Sequence, residues 1–136
     1  MGKGLAIDYG TRRTGIAITD NMQIIASALT TVNTHDLEAF ITSFLNKEDI
    51  DFFVVGDPKN LDGTKNDISG HVNGFVQRLK RLSPKIPVHR IDERYTSKIA
   101  KQSILASGLR KKARKKKSLI DEVSATIMLQ NYLDYR

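Results

Sequence analysis

Cysteine and tryptophan are both absent from this chain of 136 residues, which contains only three prolines. Without cysteine there can be no disulfide, no thiolate zinc site and no cysteine nucleophile. No apolar run approaches the roughly 20 residues that a membrane helix requires. The N-terminal sequence also lacks the charged-then-apolar layout of a signal peptide. These absences predict a cytoplasmic protein.

Acidic residues are scarce relative to basic ones, and they are scarcest in one part of the chain. The formal net charge is +7, from 22 Lys and Arg against 15 Asp and Glu. Residues 78–118 contain 15 of the basic residues and only two acidic ones, whereas the rest of the chain is net acidic. Clustered cations gain affinity for polyanions by releasing counterions from phosphates. This polarity predicts nucleic acid as the partner, with an anionic membrane surface as the weaker alternative.

The 40% of hydrophobic residues follow the pattern of a single α/β domain over residues 1–136. Three short strand-like segments are joined by connections short enough for hairpins, which predicts an antiparallel meander. Thr34 is expected to cap the helix that follows the meander. The predicted elements are strands at 3–9, 14–20, 24–32, 50–57 and 88–92, and helices at about 34–46, 67–82, 96–108 and from Ser118 onward. This order gives a mixed five-stranded sheet flanked by helices, and the ribonuclease H-like fold, with its meander and two parallel strands, satisfies the connections.

Three carboxylates carry the candidate chemistry. Asp8 ends the first predicted strand, Glu93 ends the last strand, and Asp121 is predicted in the first turn of the last helix. In a ribonuclease H-like sheet the first strand is central, so the three side chains can converge. Hard cations such as Mg²⁺ prefer oxygen ligands. Two such ions can activate water and neutralise the leaving oxygen during phosphodiester cleavage.

Each carboxylate also has a purely structural explanation. Asp8 could accept hydrogen bonds from the glycine-containing turn that follows it, and Glu93 could pair with a neighbouring arginine on the surface. Ser118 and Asp121 have the spacing of a capping box, in which the acid stabilises the start of a helix. Neighbouring acids could take either role: Asp92 and Glu122. From the residues alone, these alternatives stay open.

Two groups of residues are candidate contacts to nucleic acid. The turn GTRRTG (10–15) has the outline of a phosphate loop, but it lacks the Lys-Ser/Thr of a Walker motif and lies between antiparallel strands. A hairpin therefore explains its backbone, while its polar side chains are candidates for phosphate contact. The segment RKKARKKK (110–117) is predicted to be a loop that binds the phosphate backbone with weak sequence preference. The candidate residues are Thr11, Arg12, Arg13, Arg94, Arg110, Lys111, Lys112, Arg114, Lys115, Lys116 and Lys117.

With these residues assembled, the sequence resembles the YqgF-type family, whose members are described as pre-16S rRNA nucleases or as Holliday junction resolvase-like proteins. The resemblance rests on AIDYGTRRTGIAITD, then VVGDPKNLDGT, then DERYTSKIAKQSIL followed by a basic stretch and LIDEVSATIMLQNYLD. It implies a ribonuclease H-like nuclease that uses Mg²⁺ or Mn²⁺, with Asp8, Glu93 and Asp121 as catalytic and metal-binding residues. Asp57 departs from the family pattern, in which an apolar residue usually follows this glycine, and no metal is assigned to it.

The function predicted on this basis is a metal-dependent endonuclease that processes the 5′ end of pre-16S rRNA in ribosome biogenesis. Its expected partners are structured RNA and ribosomal precursor particles rather than membranes, and it is expected to act as a monomer or a homodimer. A Holliday junction resolvase acting on branched DNA is the alternative in the same class. Two other classes stay open. One is a non-catalytic nucleic-acid-binding module. The other is an ATP-binding lobe, because DYGTRRTGIAI also resembles the first phosphate motif of actin-like ATPases, although the chain is too short for two lobes.

Overall fold

In the computed structural model, the described residues are 2–58, 67–92 and 117–136, and in the last range side chains are described from Asp121 onward. The strands are β1 (Lys3–Asp8), β2 (Arg13–Thr19), β3 (Ala26–Asn33), β4 (Ile50–Asp57) and β5 (Val88–Asp92). The helices are α1 (Leu37–Leu45), which follows a 3-10 turn at Thr34–Asp36, then α2 (Ser69–Leu82) and α3 (Lys117–Tyr135). None of the helices in these ranges has the length and apolarity needed to span a membrane.

The five strands form one mixed sheet in the order β3-β2-β1-β4-β5. β1 lies at the centre, since it pairs antiparallel with β2 and parallel with β4. The edge strands β3 and β5 pair antiparallel with β2 and parallel with β4, respectively. This order confirms the predicted meander followed by two parallel strands. The strands β1, β4 and β5 run in the same direction, so their C-terminal ends lie at the same end of the sheet. The last residues of these strands are Asp8, Asp57 and Asp92.

Each face of the sheet has its own hydrophobic core, because side chains alternate along the strands. The face covered by α1 and α2, called here the α1–α2 face, includes Leu5 and Ile7 of β1. The opposite face, called the α3 face, includes Ala6 of β1 and Ala17 of β2. These small side chains leave room for α3 to lie close to the sheet, across β1, β2 and β3. Asp8, two positions after Ala6, therefore belongs to the α3 face.

Several predicted element boundaries differ from those of the structure by one or two residues. β2 starts at residue 13 rather than 14, β3 at 26 rather than 24, α2 at 69 rather than 67, and α3 at 117 rather than 118. Lys117 is therefore the first residue of α3, and the prediction that it belongs to a loop is wrong. The predicted helix at 96–108 lies outside the described residues.

The prediction that Thr34 caps the first helix is also wrong. Neither Asn33, which precedes the 3-10 turn, nor Asp36, which precedes α1, makes a capping hydrogen bond through its side chain. The Thr34 hydroxyl instead donates to the carbonyl oxygen of Gly10 at 2.6 Å and lies 3.0 Å from the hydroxyl of Thr14. Thr34 thus connects the end of β3 to the turn between β1 and β2, because its side chain points back toward that turn.

Candidate active site

Asp8 is the last residue of β1, and its half-buried side chain lies on the α3 face. Its register partner in β2 is Gly15. Residues directly opposite each other on antiparallel strands project to the same side of the sheet. Asp8 and Gly15 therefore share the α3 face at the end of the central strand, where a side chain is held by a hydrogen-bonded neighbour on each side.

Helix α3 approaches the sheet closely at Gly15. A Cβ atom built on Gly15 would overlap the backbone carbonyl of Asp121 and would lie 3.1 Å from the Cβ of Asp121. Only a residue without a side chain allows a helix backbone to come this near a strand. Because Gly15 is also the register partner of Asp8, this contact brings Asp121 beside Asp8, although the two acids come from opposite ends of the sequence.

An arginine from β2 binds the second carboxylate. Arg13 Nε donates to Asp121 Oδ2 at 3.2 Å, and 38% of the Arg13 side chain and 28% of the Asp121 side chain are exposed. Arg13 precedes Gly15 by two positions, so both belong to the same face of the sheet. The ion pair orients Asp121 toward the sheet, and the guanidinium occupies one oxygen of that carboxylate.

The capping box proposed as the structural alternative for Asp121 is wrong. α3 begins at Lys117, so Ser118 already lies within the helix and Asp121 is its fifth residue. A capping-box carboxylate reaches back from the third helical position. The prediction that Asp121 lies in the first turn is wrong for the same reason. The carboxylate bonds to Arg13 on the neighbouring sheet instead.

Asp57, the departure from the family pattern, faces away from this pair. It belongs to the α1–α2 face, where it lies 3.5 Å from Arg90 Nη2. Arg90 also donates to the side-chain oxygen of Asn73 in α2 at 3.2 Å, so Arg90 and its partner Asp57 lie on the face of the sheet that α2 covers. Asp92 is the register partner of Asp57 in the parallel pair β4–β5. Asp57 and Asp92 therefore lie at the same end of the sheet as Asp8 but on the opposite face.

The two remaining acidic candidates have different outcomes. Glu122, considered as a substitute for Asp121, is directed toward β3, where it accepts a hydrogen bond from Thr31 Oγ1 at 3.2 Å. Glu93, the third predicted ligand, lies outside the described residues. In the described ranges, no group of three or more acidic or histidine side chains is arranged to hold a metal ion. The structure thus places two of the three predicted residues, Asp8 and Asp121, next to the same glycine, Gly15.

The turn between β1 and β2 has a well-supported backbone. The carbonyl oxygen of Gly10 accepts from the Thr34 hydroxyl, and the carbonyl oxygen of Arg12 accepts from the Thr34 N–H at 2.9 Å. A Cβ on Gly10 would overlap the carbonyl of Arg13, so this position requires glycine. The backbone of the turn is therefore fixed relative to β3 and directly follows the end of β1.

The predicted contacts to nucleic acid divide into those in this turn and those beyond β5. Thr11 and Arg12 are exposed, whereas Arg13 is half-buried against Asp121. The other candidates lie outside the described residues, or in the case of Lys117 outside the described side chains: Arg94, Arg110, Lys111, Lys112, Arg114, Lys115, Lys116 and Lys117.

Two residues that shape this site, Gly15 and Thr34, were not predicted from the sequence to make contacts there. A lone glycine inside a strand pattern indicates a close backbone approach, so TGIAIT does contain a signal for Gly15. No comparable signal marks Thr34, because a threonine before a helix most often indicates a cap.

The chemistry of the paired carboxylates fits a hard divalent cation. Asp8 and Asp121 present oxygen ligands, which Mg²⁺ and Mn²⁺ prefer over nitrogen and sulfur. Asp8 and Asp121 are both half-buried and both lie next to Gly15, so two acidic groups are close to each other at this strand end. Neighbouring like charges are unfavourable in a partly buried site unless a cation compensates them.

The sequence matches a family model over nearly its whole length. The model is RuvX, described as Holliday junction resolvase, and it covers residues 2–135. The chain belongs to the RuvX family. A relative from Flavobacterium johnsoniae, named "Putative pre-16S rRNA nuclease", is 51% identical over 98% of this chain and 96% of its own length. A relative from Bacteroides fragilis with the same name is 46% identical over 98% of this chain and 97% of its own.

RuvX membership confirms the family resemblance and the prediction of an enzyme of the nuclease class. The fold of this RuvX chain is also that of a solved resolvase. T. thermophilus RuvC in complex with a Holliday junction substrate aligns with a TM-score of 0.60, at 16% identity, over 98% of this chain and 94% of that one. At this identity the likeness concerns the fold alone, and it confirms the predicted ribonuclease H-like architecture.

Proposed function

We propose that this RuvX-family chain is a divalent-metal-dependent endonuclease that acts as one domain in the cytoplasm. Its proposed substrate is structured RNA, namely a 16S rRNA precursor or the ribosomal particle that contains it. The pairing of Asp8 and Asp121 on the α3 face is the observation that supports this function most directly. The names of the Flavobacterium and Bacteroides relatives support the choice of RNA. The proposed ion is Mg²⁺ or Mn²⁺, with Asp8, Glu93 and Asp121 as its ligands.

The paired carboxylates and their supports account for the chemistry. A divalent ion bound by carboxylates supplies an activated water and neutralises the charge that develops on the leaving oxygen. The backbone of Asp8 is held in place because β1 is a central strand with a hydrogen-bonded neighbour on each side. Asp121 is held by the contact of α3 with Gly15 and by the bond from Arg13.

The turn after β1 provides the contacts to the phosphate backbone in this proposal. Thr11 and Arg12 are exposed beside Asp8 and can donate hydrogen bonds to phosphate oxygens, which charged donors bind more strongly than neutral ones. The basic residues of 110–117 add attraction to the backbone over a longer range. This division predicts that the turn positions the scissile phosphate, while the basic segment increases overall affinity.

The variant Asp8→Asn is predicted to lower the rate of cleavage of precursor rRNA by about 100-fold or more, because it removes a charged ligand and keeps the side-chain shape. The matched control is Asp57→Asn, which changes an acid at the same end of the sheet but on the opposite face. We expect this control to retain the wild-type rate within about twofold. Initial rates of labelled RNA cleavage, with Mg²⁺, with Mn²⁺ and with chelator, measure both effects.

Thermal unfolding of both variants establishes beforehand that they are folded. Equal cleavage by wild type and Asp8→Asn would overturn the assignment of Asp8. If pure wild-type protein binds RNA but does not cut it, whichever divalent ion is added, the chain is a nucleic-acid-binding module and the proposed reaction is wrong.

A DNA junction resolvase is the second candidate function, because the matching family model carries that description. Symmetrical cutting of a four-way junction calls for a two-fold arrangement of active sites, so a homodimer is the expected form in that case. Precursor rRNA and a four-way junction offered side by side with Mn²⁺ distinguish the candidates. Paired cuts in the junction together with intact rRNA would favour the resolvase, and sedimentation of the same sample gives the oligomeric state.

A further inference from the structure

A cavity of about 380 Å³ opens beside the turn between β1 and β2, on the α1–α2 face. Its size falls within the range of small-molecule sites in proteins and suits a single nucleobase rather than the end of a duplex. The cavity is formed by the turn, the start of α1 and the middle of α2. Its lining residues include Tyr9, Thr11, His35, Glu38, Phe75 and Arg78.

One wall of the cavity is aromatic. The rings of Tyr9 and Phe75 are stacked, with centroids 5.2 Å apart and planes inclined by 27°. Phe75 is 1% exposed and belongs to the core of the α1–α2 face, so it holds the Tyr9 ring in place. Bases that leave a stack are typically bound on aromatic side chains of this kind.

Two charged side chains of opposite sign, Arg78 and Glu38, also line the cavity. Arg78 Nε donates to Glu38 Oε1, and this bond raises the pKa of Arg78 above its ordinary value. About half of each of these two side chains is exposed. An ion pair this accessible to water contributes little to stability, so its groups can exchange partners at little cost. Together they offer donors and an acceptor, which is what the edge of a base requires.

The position of the cavity connects it to the paired carboxylates. Tyr9 directly follows Asp8, and successive residues of a strand project to opposite faces. The end of β1 therefore separates Asp8, on the α3 face, from the cavity, on the α1–α2 face. A nucleic acid strand that crosses this strand end, with a phosphate at the carboxylates, passes over the exposed side chain of Thr11, which also lines the cavity. An unpaired base turns away from its strand to enter such a space at lower cost than a paired one, because no base pair has to be broken.

We propose that this cavity binds one unpaired nucleobase of the RNA, next to the phosphate that is cut. The inference rests on the proposed nuclease function and adds a preference to it. The chain should select sites at which a bulged or unpaired nucleotide lies beside the cleavage position. The accessible part of the Tyr9 ring, which Phe75 holds in place, supplies the surface for the base, and Arg78 with Glu38 supplies the contacts to its edge.

Binding is measured with two RNAs of the same sequence, a duplex with one unpaired uridine and the fully paired duplex. Chelator is present, which separates binding from the proposed metal-dependent reaction. Wild type is expected to prefer the bulged RNA by about tenfold, and Arg78→Met and Tyr9→Ala are expected to lose most of that preference. The matched control is Arg81→Met, which removes one charge from an exposed position of the same helix outside the cavity and should retain the preference. In a second measurement, 4-thiouridine at the unpaired position is cross-linked by light, and mass spectrometry is expected to find the adduct at residues lining the cavity.

The outcomes separate this inference from the proposed function. Equal wild-type affinity for the two RNAs, equal loss of preference in Arg81→Met, or cross-links outside the cavity would overturn the base site even if cleavage with Mn²⁺ is normal. Preference for the bulged RNA with cross-links in the cavity, but without cleavage of either RNA, would support the base site and overturn the nuclease proposal.

Discussion

Arg13 is the single residue whose position has the most direct chemical consequence. Its guanidinium bonds to one oxygen of Asp121, so the arginine and a divalent ion would compete for the same carboxylate. A partly exposed ion pair contributes only about 0–1 kcal/mol. The pair therefore orients Asp121 before an ion binds, and an ion can displace the guanidinium at small cost. The released guanidinium would then be free to bind a phosphate.

Replacing Arg13 by Gln is predicted to strengthen Mn²⁺ binding to the protein without nucleic acid by about two- to fivefold, because it removes the competing cation. Calorimetric titration with Mn²⁺ measures this change. Arg12→Gln is the control, because it removes the same charge from an exposed position of the same turn. Unchanged Mn²⁺ affinity in Arg13→Gln, or an equal gain in both variants, would show that Arg13 and the ion do not compete.

For single residues, the sequence predicts where strands end, but it does not predict contacts between residues that are distant in sequence. The change from apolar residues to Asp8 predicts a carboxylate at the end of β1, and the structure has that strand end at Asp8. The approach of Asp121 to Gly15 depends on how α3 packs on the sheet, and periodicity within a segment contains no information on that distance. For the same reason, the capping box looked plausible for Asp121 until the bond from Arg13 was known.

At the scale of elements, the contact between β2 and α3 determines where the second carboxylate lies. Gly15→Ala is predicted to lower the free energy of unfolding by about 1–3 kcal/mol, since the new methyl group meets backbone atoms that cannot rotate away. The same change displaces Asp121, so cleavage should fall even at temperatures where the variant is fully folded. Chemical denaturation and cleavage rates measure the two effects.

Gly70→Ala is the matched control for this variant. A Cβ on Gly70, an exposed residue near the start of α2, would meet no atom within 4 Å. Replacing glycine by alanine inside a helix generally stabilises it by about 0.5–1 kcal/mol. Wild-type stability and wild-type cleavage by Gly15→Ala would contradict the view that the absence of a side chain at this position sets the location of Asp121.

Sequence patterns predicted the elements better than the faces that they bury. The buried residues of α2 include Val72, Phe75 and Leu79, as their helical spacing predicts. In α3 the fully buried residues on the sheet are Ala125, Met128 and Leu129, whereas the equally apolar Val123 and Ile127 are only half-buried. α3 has apolar residues on several sides, so its pattern alone does not select a face. In the folded chain, the side of α3 that packs on the sheet is the one that fits against the small residues of β1 and β2.

At the scale of the whole molecule, charge is distributed unevenly along the chain. The basic residues concentrated at 78–118 contrast with the net acidic remainder, and the paired carboxylates add local negative charge at the strand end. A polyanion is therefore attracted to one part of the protein and repelled by the carboxylates themselves unless cations compensate them. Nucleic acid binding and divalent ion binding are expected to support each other on this basis.

Replacing both Lys115 and Lys116 by Gln is predicted to weaken RNA binding and to reduce the slope of log affinity against log salt concentration. Each phosphate that the protein no longer neutralises lowers the slope by about 0.7–0.9. The control replaces Lys3 and Lys47 by Gln, which removes the same charge outside residues 78–118. Affinities measured at several salt concentrations should show a smaller slope only in the first variant, and equal slopes in the two variants would rule out a special role for the basic segment.

The position of α3 in the chain has a consequence for the timing of synthesis. Asp8 ends β1 and is made before the other four strands, whereas Asp121 is made only after all five. Until α3 has left the ribosome and packed against Gly15, the growing chain has one of these carboxylates without the other. A ribosome that translates this protein would therefore be exposed to an incomplete active site. For an enzyme proposed to cut ribosomal RNA, the order of elements delays nuclease activity until α3 has been made and has packed on the sheet.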